Sequence, residues 1–232
     1  MTEQYDWAGG REAIARFGPR DAPQVVLALP LFEEANRTRT FATGLLRRLA
    51  ERGIGGALPD LPGTNESIVA TEHAMLPGWR AALAAAAETI GGGQPVHSMT
   101  IRGGALLDHD VMAASRWQLA PAKGETLVRE LFRTAQAAGE PVEIDLNAYS
   151  DEGGPVSIAG NRIARPLLRD LAAADCVREG AVRVVRLETD PAVADRKVAG
   201  APLWRRSEPG DDPALAALLA DDIAEWIARC AS

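Results

Sequence analysis

Cysteine, histidine and aromatic side chains are scarce in this chain of 232 residues. The two cysteines, Cys176 and Cys230, are too few and too far apart for a disulfide framework or a CxxC metal site. Aromatic residues make up 5% of the sequence, so the 47% apolar content rests on aliphatic side chains and alanine. That mix suits helices packed on a buried sheet and argues against disorder. No run of basic residues occurs, and a net charge of −7 offers nucleic acid no electrostatic footprint. The longest apolar stretch, around Ala81–Ala87, falls far short of a membrane span. Met1 to Gly10 has neither the basic start nor the apolar core of a signal peptide. These absences lead to the expectation of a cytoplasmic protein with no nucleic-acid partner, no membrane insertion, no metal and no cofactor.

What is present alternates strand and helix with short connections. Gln24–Pro30 is a continuous apolar run, as a buried parallel strand should be. A loop over Leu31–Arg39 leads into a helix expected from about Thr40 to Arg52, stopped by Gly53. Further strands are expected at Gly55–Pro59, Val96–Ile101, Trp117–Leu119 and Val182–Leu187. Helices are expected at Leu76–Ile90, Leu127–Ala138, Arg165–Ala174 and Pro213–Arg229, with another starting near Ala105 directly after Arg102-Gly103-Gly104. The pattern predicts one α/β domain over residues 1–232, a mostly parallel sheet with helices on both faces. Residues 120–165 are the candidate for a small lid or insert.

Leu49 to Ser67 (LAERGIGGALPDLPGTNES) resembles the segment of α/β-hydrolases that reads roughly L-A-x-R-G, then P-D-x-x-G-x-G-x-S. Asn65 stands where that pattern has its second glycine, and asparagine is the side chain best able to hold a left-handed turn. A closer resemblance is to the second type of hydrolase that accompanies exosortase A systems. Pro30-Leu31-Phe32-Glu33-Glu34-Ala35-Asn36-Arg37-Thr38-Arg39 resembles that family's P-F-x-E-E-x-N-x-x-R. Ile101 to Leu107 (IRGGALL) resembles its elbow L-R-x-G-A-L-L. Arg116 to Pro121 and Gly200 to Trp204 resemble its L-W-Q-P and G-x-P-F-W, with Leu119 and Leu203 as departures. The resemblance implies a setting of exopolysaccharide production and sorting of surface proteins, and a hydrolase acting on an ester, thioester or glycan-linked group.

Hydrolysis on that plan needs a nucleophile on the strand-to-helix turn, then an acid, then a histidine, in that chain order. This chain has no G-x-S-x-G, and Arg102 occupies the nucleophile position. A guanidinium stays protonated and cannot attack a carbonyl. The histidines are His73, His97 and His109, and none follows residue 109. Ser98 lies before the elbow on a strand, Asp190 reads as an ordinary loop carboxylate, and Asp108-His109-Asp110 reads as a solvated helix end. Arg102 should project over the carboxyl ends of the strands, where such sheets bind ligands. The amides of Gly103 and Gly104 beside it suit an anion. Phe32, Glu33, Glu34, Asn36 and Arg37 occupy the loop that normally supplies half of an oxyanion hole. Two roles follow for Arg102: an anchor for a small anionic or glycan-linked ligand, or a plug paired with Glu33 or Glu34 that fills the empty pocket. The function is accordingly either a hydrolase with a non-triad site or a non-catalytic binding protein.

Overall fold

The computed structural model describes residues 2–142 and 153–231. Its centre is an eight-stranded sheet built from β1 (Thr2–Trp7), β2 (Gly10–Phe17), β3 (Gln24–Ala28), β4 (Gly55–Pro59), β5 (Val96–Ile101), β6 (Ala113–Leu119), β9 (Val182–Leu187) and β10 (Arg196–Val198), in the order β1-β2-β4-β3-β5-β6-β9-β10. From β4 through β10 every neighbouring pair is parallel; the β1–β2 hairpin adds an antiparallel edge against β4. A separate short hairpin, β7 (Val156–Ile158) with β8 (Asn161–Ile163), lies within the stretch expected to hold a lid or insert. Part of that stretch lies outside the described residues.

Alternation along the strands divides the core in two. Val25 and Leu27 of β3, Met99 and Ile101 of β5, and Trp117 and Leu119 of β6 pack with helices α1 (Glu33–Glu51) and α5 (Pro213–Cys230). Val26 and Ala28 face the other way, onto α2 (Leu76–Gly91), α3 (Gly124–Ala137) and α4 (Arg165–Ala173). The expected three-layer arrangement is therefore present. No helix among the described residues is long and apolar enough to cross a membrane.

Three expectations need correction. Helix α1 starts at Glu33, not near Thr40, so Glu33, Glu34, Asn36 and Arg37 sit on helix rather than loop. Phe32 makes the turn with φ 56, and the acids of the first turn suit the positive helix end. The helix expected from Ala105 is absent: Arg102–Leu106 and Asp108–Asp110 are single 3-10 turns, and the chain re-enters the sheet at Ala113. Asp108 is no solvated helix end. It is fully buried, accepting from Ser98 Oγ at 2.8 Å and paired with Arg116 at 3.3 Å, while His109 and Asp110 are exposed. Ser98 and Arg116 both meet Asp108 through Oδ2, and its Oδ1 is buried without a hydrogen-bond partner among the described residues.

Candidate anion-binding cleft at the strand-to-turn elbow

Strand β5 delivers Arg102 to the carboxyl end of the sheet, where the backbone turns into the left-handed region at φ 53. The turn is pressed against β3. A Cβ on Gly104 would lie 2.5 Å from the Ala28 carbonyl oxygen, and one on Gly103 would lie 2.5 Å from Leu127 Cδ1. Glycine is thus required at Gly104, where the obstacle is backbone, while at Gly103 a side chain would have to displace Leu127.

The Arg102 side chain is buried and held from three directions. Its Nε and Nη2 reach the two oxygens of Glu34 on α1, each at 3.3 Å. Nη2 also donates to Glu130 Oε2 on α3 at 2.5 Å. The guanidinium carbon lies 5.4 Å from the ring centroid of Trp204, within cation–π range. The expected pairing with a carboxylate of the Glu33–Glu34 pair is present, through Glu34; Glu130 and Trp204 are partners that the sequence did not indicate. Burial raises the Glu34 carboxyl above the ordinary range, against the opposing pull of Arg102. Nη1 of Arg102 has no hydrogen-bond acceptor among the described residues.

Arg102 forms part of the wall of a cleft of about 390 Å³ bounded by Ala120–Lys123 after β6, Leu187–Pro191 after β9, and Pro202–Arg205. Five cations line it: Arg102, Lys123, Arg178, Arg186 and Arg205; its carboxylates are Glu130 and Asp190. Arg186 is committed to Asp190 at 2.7 Å and to the Pro121 carbonyl at 3.1 Å. Lys123 pairs with Asp175 at 3.0 Å. Arg205 is exposed and only loosely paired, 3.9 Å from Glu130. Arg178 is exposed and has no ion-pair partner among the described residues. The cleft therefore presents two cations with little protein to neutralise them.

The parts of a catalytic triad do not meet here. Asp190 follows β9, where a triad acid would, but its oxygens are taken by Arg186 and the Ala192 amide. His73 is exposed on the turn Thr71–His73, and His97 contacts Ser115 Oγ at 2.9 Å. Cys176 is buried against the Ala122 carbonyl, and burial pushes its thiol up to about 11, which keeps it protonated and unreactive. Among the described residues no cluster of His, Cys, Asp and Glu is fit to hold a metal.

The residues singled out from the sequence separate in space. Glu34 and Arg102 form the pair, and Arg37 Nη1 donates to the Trp204 carbonyl at 3.2 Å, fixing the cleft rim. Phe32, Glu33 and Asn36 line a different cavity. Asn65 holds φ 45, the left-handed turn expected of it, with its amide on Asp60 at 3.0 Å.

No protein-family model matches the sequence, and no curated protein matches it. Solved structures do. Est1E from Butyrivibrio proteoclasticus, determined with ferulic acid bound, is similar over 98% of both chains at 15% identity, with a TM-score of 0.64. An α/β-hydrolase from Sphaerobacter thermophilus is similar over 95% of this chain and 100% of that one, at 16% identity and a TM-score of 0.56. Epoxide hydrolase VrEH1 from Vigna radiata matches half of this chain (51%), which spans only 39% of that protein, at 17% identity and a TM-score of 0.40. At such identities the likeness is one of fold, and the chain has the α/β-hydrolase fold.

Proposed function

We propose that this chain is a ligand-holding protein on the α/β-hydrolase fold, of the kind that accompanies exosortase A systems. On this reading its cleft binds an anionic ligand, a sugar acid or a glycan-linked acid, and performs no triad hydrolysis. The observation that carries the reading is the arginine on the elbow: the left-handed turn that would present a nucleophile presents Arg102 instead, facing a cleft with Arg178 and Arg205 at hand. Hydrogen bonds to charged groups are stronger than neutral ones, and a guanidinium fork matches carboxylate and phosphate. The test is titration with glucuronate and glucose 6-phosphate against glucose, which shares the ring and lacks the charge. The anionic pair should bind with an affinity that falls as salt is added, and glucose should not. Arg178→Ser with Arg205→Ser should weaken binding at least about tenfold, or about 1.4 kcal/mol. Equal binding of glucose and glucuronate, or none by either anion at millimolar concentration, defeats the reading.

A hydrolase with a non-triad site is the rival, and Glu34 favours it, because a buried carboxylate with a raised pKa is a usable general base. Its weakness is that both Glu34 oxygens are engaged by Arg102. A serine-directed fluorophosphonate is expected to leave the wild type unlabelled. Arg102→Ser is expected to add no esterase activity, since a serine without an adjacent base is a weak nucleophile. Hydrolysis of p-nitrophenyl acetate by this variant on the order of 1 s⁻¹ or faster would reveal a base already in place.

A further inference from the structure

A second cavity, of about 190 Å³, lies on the other side of the α1 start, and Arg102 takes no part in it. From its geometry we infer a binding site for a small neutral aromatic molecule that carries a hydrogen-bond donor, a phenol being the simplest example. This inference does not depend on the anion cleft.

Size and lining set the class. A cavity of about 150 Å³ lined by aliphatic and aromatic side chains accepts a benzene ring, so this one has room for one substituted ring. Its walls include Leu61, Leu83 and Trp79. Trp79 is fixed in place, buried and donating Nε1 to the Pro62 carbonyl at 2.8 Å. Phe32 meets it edge-on, with ring centroids 6.1 Å apart and planes at 65°. Phe32 holds this position at φ 56 and ψ −135, a backbone conformation that side chains other than glycine rarely adopt. Such strain gathers at ligand clamps, and here its consequence is to set an aromatic ring in the cavity wall.

The rim sets the polarity. It carries the carboxamides of Asn36, Asn65 and Asn161. Asn65 Nδ2 is engaged by Asp60 and Asn161 Nδ2 by the Ala159 carbonyl, at 3.0 and 2.9 Å. Asn65 Nδ2 also lies 3.4 Å from Thr64 Oγ1, so both of its N–H groups are spent and its Oδ1 is the atom left to accept. The Asn65 carbonyl, with Glu33 on the same lining, suits a ligand that donates and disfavours one that is negatively charged.

The probes are p-cresol, 4-methylanisole (the same shape without the donor) and p-toluate (the same ring with a negative charge). The readout is the indole N–H signal of Trp79 in a ¹H–¹⁵N spectrum, assigned through Trp79→Phe. p-Cresol should shift it saturably, 4-methylanisole should bind at least about tenfold more weakly, and p-toluate should not move it. Ala35→Leu, which fills the cavity from α1, should abolish the p-cresol shift while leaving the melting temperature unchanged or higher. Phe32→Leu, which keeps an apolar wall but removes the ring, should weaken p-cresol and serves if Ala35→Leu does not fold. The inference is overturned by no saturable p-cresol shift, by 4-methylanisole or p-toluate binding as well as p-cresol, or by undiminished binding in the folded variants.

Discussion

Arg102→Ala is expected to destabilise the fold by about 3–5 kcal/mol, the usual consequence of removing one partner of a buried ion pair. The loss comes from what remains. Glu34 keeps its place on the first turn of α1, with both oxygens that Arg102 had engaged now deprived of their donors. Glu130 is less affected, because its side chain is 37% exposed and water can solvate it. The pH dependence follows from Glu34. Its carboxyl is already raised by burial, so the folded chain holds that proton more tightly than the unfolded chain. Stability of that kind is fully present below the unfolded pKa and is lost as pH rises through the folded value. Without Arg102 the folded value rises further, so the deficit of Arg102→Ala should be smallest in mild acid and grow toward neutral pH. Urea unfolding at several pH values measures both the size and the slope. Arg102→Met with Glu34→Leu, which removes both charges, should recover most of the loss, since apolar replacement of a buried pair is often close to neutral. A deficit independent of pH, or no recovery in the double variant, would show that Arg102 is not held by Glu34.

The parts of this fold legible in the sequence were those buried on both faces. β3 and β4 lie where their short apolar runs put them, because a parallel strand covered on both sides has no polar alternation to confuse it, while β9 is legible through its valines although Arg183 and Arg186 break the run. β1 and β2 escaped notice for the opposite reason: they form an edge hairpin, and only Tyr5 of β1 is buried. The start of α1 was hidden because Phe32 is no ordinary cap. It makes no side-chain cap hydrogen bond, and the acids after it read equally well as loop. After Gly103-Gly104 the glycines allow the close approach to β3 and Leu127, and the chain makes two 3-10 turns before re-entering the sheet at Ala113, a course that local sequence does not distinguish from a helix. At the site, Arg102 and its need for a carboxylate could be read from residue type alone. Glu130 could not be, because its role depends on how α3 docks beside the elbow.

Asp222→Ala should destabilise by a similar amount, about 3–5 kcal/mol, and for a mirrored reason: here the buried group removed is the carboxylate, and the cations are left behind. Asp222 on α5 is buried and accepts from Trp117 Nε1 at 2.8 Å, from Arg183 at 2.9 and 2.6 Å, and from Arg196 at 2.6 Å. Burial alone would raise its carboxyl, but the hydrogen bonds from Arg183, Trp117 and Arg196 outweigh that and hold it at about 2. A depressed carboxyl contributes stability above the unfolded pKa, near 4, and loses it as pH falls through the folded value. The gap between wild type and Asp222→Ala should therefore be full at neutral pH and narrow between about pH 4 and pH 2. Both deficits shrink toward acid but in different windows, that of Arg102→Ala above the ordinary carboxylate range and that of Asp222→Ala below it, so one pH series on both variants separates the two causes. Asp222→Asn, which keeps an acceptor for Trp117 but not the charge, should fall between wild type and alanine. The three donors sit on β6, β9 and β10, and the first two strands lead into the loops that bound the cleft. A staple from α5 across these strands fixes where Ala120–Lys123 and Leu187–Pro191 lie relative to Arg102. Folded Asp222→Asn should accordingly bind glucuronate more weakly than wild type, although no atom of Asp222 lines the cleft. Unchanged affinity in that variant would mean that the cleft keeps its shape without the staple, and would restrict Asp222 to stability alone.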